Sequence, residues 1–525
     1  MGIFLLNLLV FILVLGIIIL LHELGHFFVA KQIGVLCHEY SIGMGPALYK
    51  YKKGETTYSI RAIPIGGYVS LAGEDNNFAM IKENDMIGLR FDEDKKVSGI
   101  VLSYDLESEV IGKVKSYELF DRNKKISEDS DEVSGLYIEL ELESGEIVRY
   151  TVLDNAKYYY GKEKELQIAP KERSLNSKPK WQRFLVMFAG PLMNFVLAIL
   201  LFIVAFAITG KPVQEAKIAK TIPNGPLASV VDKNFTVTEI NGISITTWDE
   251  LSKEIYNNPG SNITLKIEGK DELVSFNSNV LIHYLGVTNV GKEAEQLVIG
   301  SVGGTAEKSG LEPGDKIIEY NATPVTTWKE LTTLVDELDP SERNVTLTVE
   351  RMVNSSVEQL PFSYKTMPKD TFIGQGVNPY EVLIGVERAT KFNLGYAFKM
   401  GFVSFGDNAL KIFRVLGGLF TPKTSGIAVT DLAGPIGIFN LIAQVRAGGF
   451  VAILIFMGFL SVNIGLVNLL PIPALDGGRI LFLGIEAVTR KPINQKVETW
   501  VNNIAFMLLM ALFVLIMIFD IIRIF

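Results

Sequence analysis

Four stretches of the chain run for roughly 20 residues or more without a charged side chain, which is the length an α-helix needs to cross the ~30 Å hydrocarbon core of a bilayer. The first stretch has no basic segment before it and no small-residue cleavage site after it, so a membrane span is favoured over a cleaved signal peptide. We therefore predict a polytopic α-helical membrane protein with four transmembrane helices, located in residues 1–31, 182–210, 447–478 and 499–522.

Between the first two spans the pattern changes to that of β-structure. Residues 35–73 alternate short β-branched and aromatic runs with glycines, as strands and tight turns do, and predict a membrane-associated β-hairpin or small sheet. An acidic insertion follows at 74–181, where residues 74–170 hold 23 acidic and 13 basic side chains. It has strand-like patterns, but we assign it no function.

After the second span the sequence repeats itself at a spacing of 80 residues. This predicts two tandem α+β domains, a first copy at 213–290 and a second copy at 291–366. The repeated positions are Asn241, Thr246, Thr247, Trp248, Glu250 and Leu251, which recur as Asn321, Thr326, Thr327, Trp328, Glu330 and Leu331.

A linker at 380–446 combines apolar helical periodicity with scattered basic residues. The pattern favours an amphipathic helix on the membrane surface. An ordinary packed helix is the alternative.

Basic residues cluster after the first span, before the second and between the last two. By the positive-inside rule these connections are cytoplasmic. The N-terminus, both repeat copies and the C-terminus are then extracytoplasmic, in a multi-pass protein of the inner (plasma) membrane. Cys37 lies on the positively charged side, so we expect thiol reagents to reach it from the cytoplasm only.

Composition removes several classes of protein. Cys37 is the only cysteine, which excludes an intrachain disulfide and a multi-cysteine metal cluster. The net charge of −8 is the wrong sign for a nucleic-acid footprint. The expected partners are therefore the lipid bilayer and membrane proteins rather than nucleic acid.

The sequence His-Glu-Leu-Gly-His occupies residues 22–26, near the end of the first span. Residues i and i+4 share one face of a helix, so His22 and His26 are placed to bind one Zn²⁺, with Glu23 beside them as a base. An ionisable residue at membrane depth is costly unless it is paired or functional. His38 and His283 lie outside the spans and are expected to be ordinary histidines.

A catalytic zinc takes a third protein ligand and leaves one position for water. We predict Asp476 as that ligand, because prolines precede it and Gly477 and Gly478, which permit close backbone approach, follow it. A helix-end aspartate without a metal is the alternative interpretation. The other acidic residues considered lack such a motif: Asp407, Asp431, Glu486 and Asp520.

HELGH in the first span, AGPLMN at 189–194 and NLLPIPALDGG at 468–478 together resemble the site-2 protease family of intramembrane zinc metalloproteases. With the tandem copies, the chain is most similar to bacterial enzymes of regulated intramembrane proteolysis. The resemblance implies that His22, His26 and Asp476 bind zinc and that Glu23 is the acid/base. It also implies substrate-pocket roles for Asn463, Asn468, Asn194, Gly43 and Gly45.

The segment SGLEPGDKIIEYNATPVTTWKEL of the second copy resembles PDZ domains of bacterial proteases and implies a peptide-binding module. The first copy lacks the Gly-Leu-x-Pro-Gly-Asp run, which argues against binding of a peptide C-terminus there. A spacer that only folds is the alternative for both copies.

These features predict an enzyme that hydrolyses peptide bonds within transmembrane segments of single-span proteins, such as anti-sigma factors or signal-peptide remnants, with PDZ-like domains that gate substrate size. The competing hypothesis is a membrane PDZ scaffold with a structural zinc and no proteolysis. A metal transporter is disfavoured, because one cluster of intramembrane charges offers no ion path.

Overall fold

The computed structural model of the chain describes residues 2–74, 80–103, 105–124, 135–161, 164–222, 225–228, 234–289, 296–339, 341–353, 356–366, 369, 378–420 and 432–524. Asp431 lies outside these ranges. The chain divides into two units, one comprising 1–202, 404–409 and 433–525 and the other comprising 203–403 and 410–432.

Four helices of the described residues are long and apolar enough to cross a membrane, in agreement with the four predicted spans: Gly2–Gln32, Lys180–Thr209, Phe450–Asn468 and Lys496–Ile522. The helices are α1 (Gly2–Gln32), α2 (Lys180–Thr209), α3 (Trp248–Tyr256), α4 (Gly304–Lys308), α5 (Trp328–Glu337), α6 (Leu394–Phe420), α7 (Pro435–Ala447), α8 (Phe450–Asn468), α9 (Asp476–Thr489) and α10 (Gln495–Ile524).

The predicted third span needs a correction, because it is not one helix through residue 478. α8 ends at Asn468, and α9 begins at Asp476. Pro471 and Pro473 lie between them, and neither has an N–H to continue a helical ladder. Asp476 is consequently the first residue of its own helix.

A sheet follows α1, built from β1 (Cys37–Lys53) and β2 (Thr56–Leu71). Both strands bend sharply. Residues 37–42 pair on one side with 67–71 and on the other with 57–60, which pair in turn with 49–52. The predicted hairpin is thus a four-row sheet, and among the described residues the 67–71 row has no further strand partner, so it forms an edge.

Cys37 is the first residue of β1 and is fully buried. Burial raises the pKa of its thiol to about 12, which leaves almost no reactive thiolate at neutral pH. The expectation that Cys37 is a reagent-accessible topology probe is therefore wrong.

The acidic insertion contains a small barrel with an apolar core that includes Leu89, Ile100, Ile138 and Leu140. Five strands pair in the order β4-β3-β5-β6-β7, and a parallel pairing of β4 with β7 closes the barrel. Closure protects strand edges that would otherwise be exposed. The strands are β3 (Met86–Phe91), β4 (Val97–Val101), β5 (Val110–Glu118), β6 (Tyr137–Glu141) and β7 (Ile147–Gly161), with β8 (Lys164–Gln167) added to β7.

The other unit contains the repeat. Its repeated residues include turn and cap residues, together with Leu251 and Leu331, which are buried in the cores of the two copies. Thr247 and Thr327 begin α3 and α5 with matching capping boxes, in which Glu250 and Glu330 complete the cap. The strands are β9 (Lys211–Pro212), β10 (Lys217–Thr221), β11 (Phe235–Ile240), β12 (Ile243–Ser244), β13 (Asn262–Ile267), β14 (Leu273–Asn277), β15 (Asn279–Ile282), β16 (Val287–Thr288), β17 (Ser301–Val302), β18 (Lys316–Tyr320), β19 (Thr323–Pro324), β20 (Asn344–Val353), β21 (Ser356–Lys365), β22 (Glu381–Leu383), β23 (Val386–Arg388) and β24 (Thr390–Lys391).

Strand pairing moves the predicted boundary between the copies. β15 and β16 lie before residue 291 but pair with each other, with β17 and with β22, so the second copy begins at about residue 279. β23, which follows the second copy in sequence, pairs with β10 of the first. The first copy is therefore discontinuous, and the second is inserted into it.

The predicted linker at 380–446 is not a single helix but contains strands followed by helices. Its first residues form β22, β23 and β24, and helices α6 and α7 follow. α6 exposes large apolar side chains such as Phe398, Phe402 and Phe413. A surface position on the membrane stays a prediction.

Candidate active site

The HExxH motif lies on the last turns of α1. Helical spacing brings His22 and His26 to one face, and their Nε2 atoms are 3.3 Å apart. Both imidazoles are largely buried.

Asp476 meets the two histidines from the start of α9. Its Oδ2 atom lies 3.2 Å from His22 Nε2 and 3.4 Å from His26 Nε2. Ligand atoms bound at about 2.0–2.1 Å in a tetrahedron around Zn²⁺ lie about 3.3 Å apart. All three separations fit that value, so this donor set fits a zinc ion.

The hydrogen bond of His26 fixes its tautomer. Its Nδ1 lies 2.7 Å from the backbone carbonyl of Val186, and because a carbonyl only accepts, Nδ1 carries the proton. Nε2, which faces Asp476, is then the nitrogen left to ligate a metal.

His22 has a matching partner on α2. Its Nδ1 lies 3.2 Å from the side-chain amide of fully buried Asn194. In that orientation no described residue donates to the buried Asn194 Oδ1, whereas a half-turn of the amide lets Oδ1 accept the His22 Nδ1–H. A carbonyl or amide oxygen on the outer nitrogen of a metal-ligating histidine is the usual arrangement.

Small residues allow these helices to come close, as is common where helices pack within membranes. A Cβ added to Gly25 would overlap the backbone of Ala189, and one added to Gly190 would overlap the His26 ring. A Cβ on Gly465 of α8 would lie 3.2 Å from the carbonyl of Pro191. Ala189 and Gly190 of the AGP sequence are thus explained by contact with the histidine helix, whereas Pro191 faces α8.

A cavity of about 440 Å³ opens beside the three ligand atoms. The edge row of the sheet forms one wall and approaches Glu23, since a Cβ added to Gly67 would lie 3.1 Å from Glu23 Cγ. Arg479 and Glu74 form an ion pair within the lining. The other lining residues are His22, His26, Tyr68, Val69, Ser70, Leu71, Leu175, Val186, Met187, Ala474, Leu475 and Asp476.

A polar network holds the edge row in place. Tyr68 donates to Glu39 at 2.8 Å, and Ser59 and Arg61 donate to the same carboxylate at 2.5 and 2.8 Å. Burial alone would raise the pKa of Glu39, but the three donors outweigh it and hold the pKa below its ordinary value. Charge-assisted bonds of this kind position Tyr68 at the cavity wall.

The chain matches the model of peptidase family M50 over residues 10–512. It belongs to that family. Among relatives of similar length, it is 30% identical to the zinc metalloprotease RasP of Oceanobacillus iheyensis, over 98% of both chains. It is 31% identical to RasP of Geobacillus kaustophilus, over 96% of this chain and 94% of the relative. Identity to the regulator of sigma-W protease RasP of Bacillus subtilis is 28%, over 96% of both chains.

Membership in M50 confirms the predicted family, the zinc cofactor and the enzyme class. The protein is an intramembrane zinc metalloprotease. The hypothesis of a scaffold with a structural zinc and no proteolysis is set aside accordingly.

The structure brings together some of the predicted site residues of this M50 enzyme. Among the described residues, the cavity lining includes the three proposed ligands and Glu23 but not the remaining five. Asn194 instead contacts His22 from behind, which favours a positioning role over substrate contact. The others lie elsewhere on α8 and β1: Asn463, Asn468, Gly43 and Gly45.

Sequence reasoning missed three ionisable side chains of the lining. Arg479 directly follows the LDGG motif, so its proximity to Asp476 was a usable signal. Tyr68 follows Gly66 and Gly67, which mark the strand that approaches Glu23. Glu74 carried no signal of its own.

Proposed function

We propose that His22, His26 and Asp476 hold the zinc and that Glu23 is the general acid/base, in the hydrolysis of peptide bonds within transmembrane segments. The observation that carries this proposal is the three-atom cluster with separations of 3.2–3.4 Å. It lies at the end of an apolar helix beside a cavity that contains Glu23.

Zinc held by His22, His26 and Asp476 would lower the pKa of a bound water to about 7 and would polarise the scissile carbonyl. Glu23 then takes the proton of the attacking water and passes it to the leaving amine. Val186 and Asn194 hold the two imidazoles in one tautomer and one orientation. Arg479 and Glu74, which form an ion pair with each other, also line the cavity.

The substrate class follows from the wall of the cavity. A helical span keeps its peptide bonds paired internally and must unwind before one of them reaches a catalytic group. Within the described part of the chain the edge row at 67–71 has a strand partner on one side only, which supports binding of an extended segment as an added strand. Single-span proteins, including anti-sigma factors and signal-peptide remnants, are the proposed substrates, and the name of the Bacillus subtilis relative supports the former.

The charge distribution supports extracytoplasmic termini and repeat copies. Both copies follow the second span directly in sequence, and this supports a role in limiting the size of the substrate ectodomain. Pocket contacts discriminate by only about 1–3 kcal/mol per small group, so exclusion by bulk is a useful supplement.

The catalytic assignment is tested by zinc content and cleavage of a single-span substrate. Glu23→Gln should retain about one zinc per chain and lose proteolysis, because Glu23 is a base and not a ligand. His22→Ala and Asp476→Ala should lose both, whereas His283→Ala should lose neither. An active Glu23→Gln, or full zinc in Asp476→Ala, would contradict the proposal.

The gating role can be tested by deleting both repeat copies. Because Thr390 pairs with Pro212, a short turn that joins these two residues removes both copies and leaves the β9–β24 hairpin. Gating predicts faster cleavage of a substrate with a bulky ectodomain and unchanged cleavage of one without it. Equal loss on both substrates would instead establish recruitment.

A further inference from the structure

The fourth span, α10, carries none of the residues assigned to the active site. Of the four spans in the described chain it is also the least buried, since 6% of its apolar segment is buried against the rest of the protein, compared with 17–39% for the others. Near its start it nevertheless contains two adjacent polar residues, Asn502 and Asn503. A polar side chain in a membrane span is costly unless it has a partner or a function, so the surroundings of these two residues are informative.

Asn502 contacts the loop that leads into α9. It is half-buried, and its side-chain oxygen accepts the backbone N–H of Ala474 at 3.1 Å. Asn503 is exposed and points to a different side of α10, because consecutive residues of a helix do not share a face. Ala474 lies two residues before Asp476, so Asn502 reaches the segment that places the proposed third zinc ligand.

The loop at 469–475 satisfies its other amides locally. Pro471 and Pro473 have no N–H. Four further amides donate to carbonyls of the loop itself or of α8, namely those of Leu469, Leu470, Ile472 and Leu475. Ala474 thus supplies the one N–H of this loop that, among the described residues, is paired with a side chain of another span. Because Asn502 belongs to a membrane span, water is a poor substitute for its carbonyl there.

The backbone at Ala474 needs such support. Its φ of +73° is in the left-handed region, which residues with a Cβ rarely adopt. The start of α9 cannot adjust independently of the loop, because the two are in close contact: a Cβ added to Gly477 would lie 2.2 Å from the carbonyl oxygen of Leu470. A change of backbone conformation at Ala474 would therefore move Asp476 relative to the two histidines.

We propose that Asn502 is a positioning residue for the zinc site. By accepting the Ala474 N–H it holds the left-handed backbone that aims Asp476 at His22 and His26, so the fourth span contributes to catalysis without touching metal or substrate. The proposal rests on the proposed role of Asp476 as a zinc ligand. The three ligand atoms lie 3.2–3.4 Å apart, and because ligand distances in a metal site must hold to within about 0.2 Å, a small displacement of Asp476 weakens binding.

The test measures the zinc affinity of the purified full-length protein in detergent, by competition with a chromophoric chelator. Asn502→Ala should bind zinc about tenfold more weakly, because the loop loses the hydrogen bond that favours its metal-binding conformation. Asn502→Asp keeps an oxygen acceptor at the same position and should retain most of the affinity. Asn503→Ala, one residue along the same helix, is the matched control and should leave the affinity unchanged.

A rescue experiment separates positioning of Asp476 from packing of α10. Glycine adopts a φ of +73° without strain, so Ala474→Gly should restore most of the zinc affinity in the Asn502→Ala background and change little on its own. In Co²⁺-substituted protein, the visible absorption bands report the geometry around the metal. They should change in Asn502→Ala and return in the double variant, whereas glycine at position 474 would not repair a loss of helix packing.

Hydrogen exchange on the unsubstituted protein keeps the proposal testable if Asn502→Ala does not fold. The amide of Ala474 should exchange slowly, although the residue itself is exposed. The proposal is overturned by rapid exchange of that amide, by wild-type zinc affinity in Asn502→Ala, by equal losses in Asn502→Ala and Asn503→Ala, or by failure of Ala474→Gly to rescue. Full zinc in Asp476→Ala would instead overturn the ligand assignment on which the proposal rests.

Discussion

Replacing Asn194 by alanine tests how the zinc site is oriented. Asn194 is fully buried and reaches His22 Nδ1 at 3.2 Å, on the side of the ring away from Asp476. In the described part of the chain it is the side chain hydrogen-bonded to that nitrogen. Alanine therefore leaves the Nδ1–H of His22 buried without an acceptor.

The expected magnitude follows from two independent estimates. A buried donor without a partner costs about 1–3 kcal/mol. Loss of an orienting partner of a metal ligand lowers metal affinity or activity by about 10–100-fold, which corresponds to about 1.4–2.7 kcal/mol. Both predict that Asn194→Ala loses one to two orders of magnitude in zinc affinity and that cleavage falls in parallel at limiting zinc.

Zinc affinity is measured on purified protein in detergent by competition with a chromophoric chelator. Asn194→Asp keeps an acceptor at the same position and should retain most of the affinity. Ser461→Ala is the matched packing control, since Ser461 donates to the Asn194 backbone carbonyl at 2.8 Å and does not contact His22. Equal losses in Asn194→Ala and Ser461→Ala would refute the orienting role and indicate helix packing instead.

Three further predictions concern the sheet beside the site. Buried Cys37 should resist maleimide reagents from both sides of the membrane until the protein is denatured. A cysteine introduced at exposed position 50 (Lys50→Cys in a Cys37→Ser background) should be labelled from the cytoplasmic side only. Labelling from outside would mean that the topology is the inverse of the one predicted. Hydrogen bonds from Arg173 lower the pKa of Glu55 to about 2. The stability that the protein gains from Glu55, relative to Glu55→Gln, should therefore be fully present above about pH 4.5 and should disappear as the pH falls towards 2. A difference in melting temperature that does not change with pH would contradict this. If substrate adds to the edge row at 67–71, replacing Gly or Pro in a substrate span by Leu should slow cleavage, and an unchanged rate would exclude strand addition.

Local sequence patterns were sufficient to predict the membrane-spanning helices and the proposed zinc ligands. Four apolar stretches predicted four spans, because length and hydropathy are properties of contiguous sequence. His22 and His26 were placed together by helical periodicity alone. Asp476 was predicted from its proline and glycine neighbours, and the structure brings it within 3.4 Å of both histidines.

Tertiary structure decided everything that depends on pairing between distant residues. Asn194 was assigned to the substrate pocket, but the packing of α2 against α1 turns it towards His22. The wall beside Glu23 is formed by 67–71 and not by the glycines at 43 and 45, because β1 and β2 bend and pair twice.

The repeat shows most clearly that the sequence does not reveal which distant strands pair. A spacing of 80 residues reveals two copies, yet it cannot reveal that β23, beyond the end of the second copy, completes the first. Side-chain periodicity fixes which face of a strand is apolar, whereas backbone hydrogen bonds choose the neighbouring strand and carry no signature in the sequence.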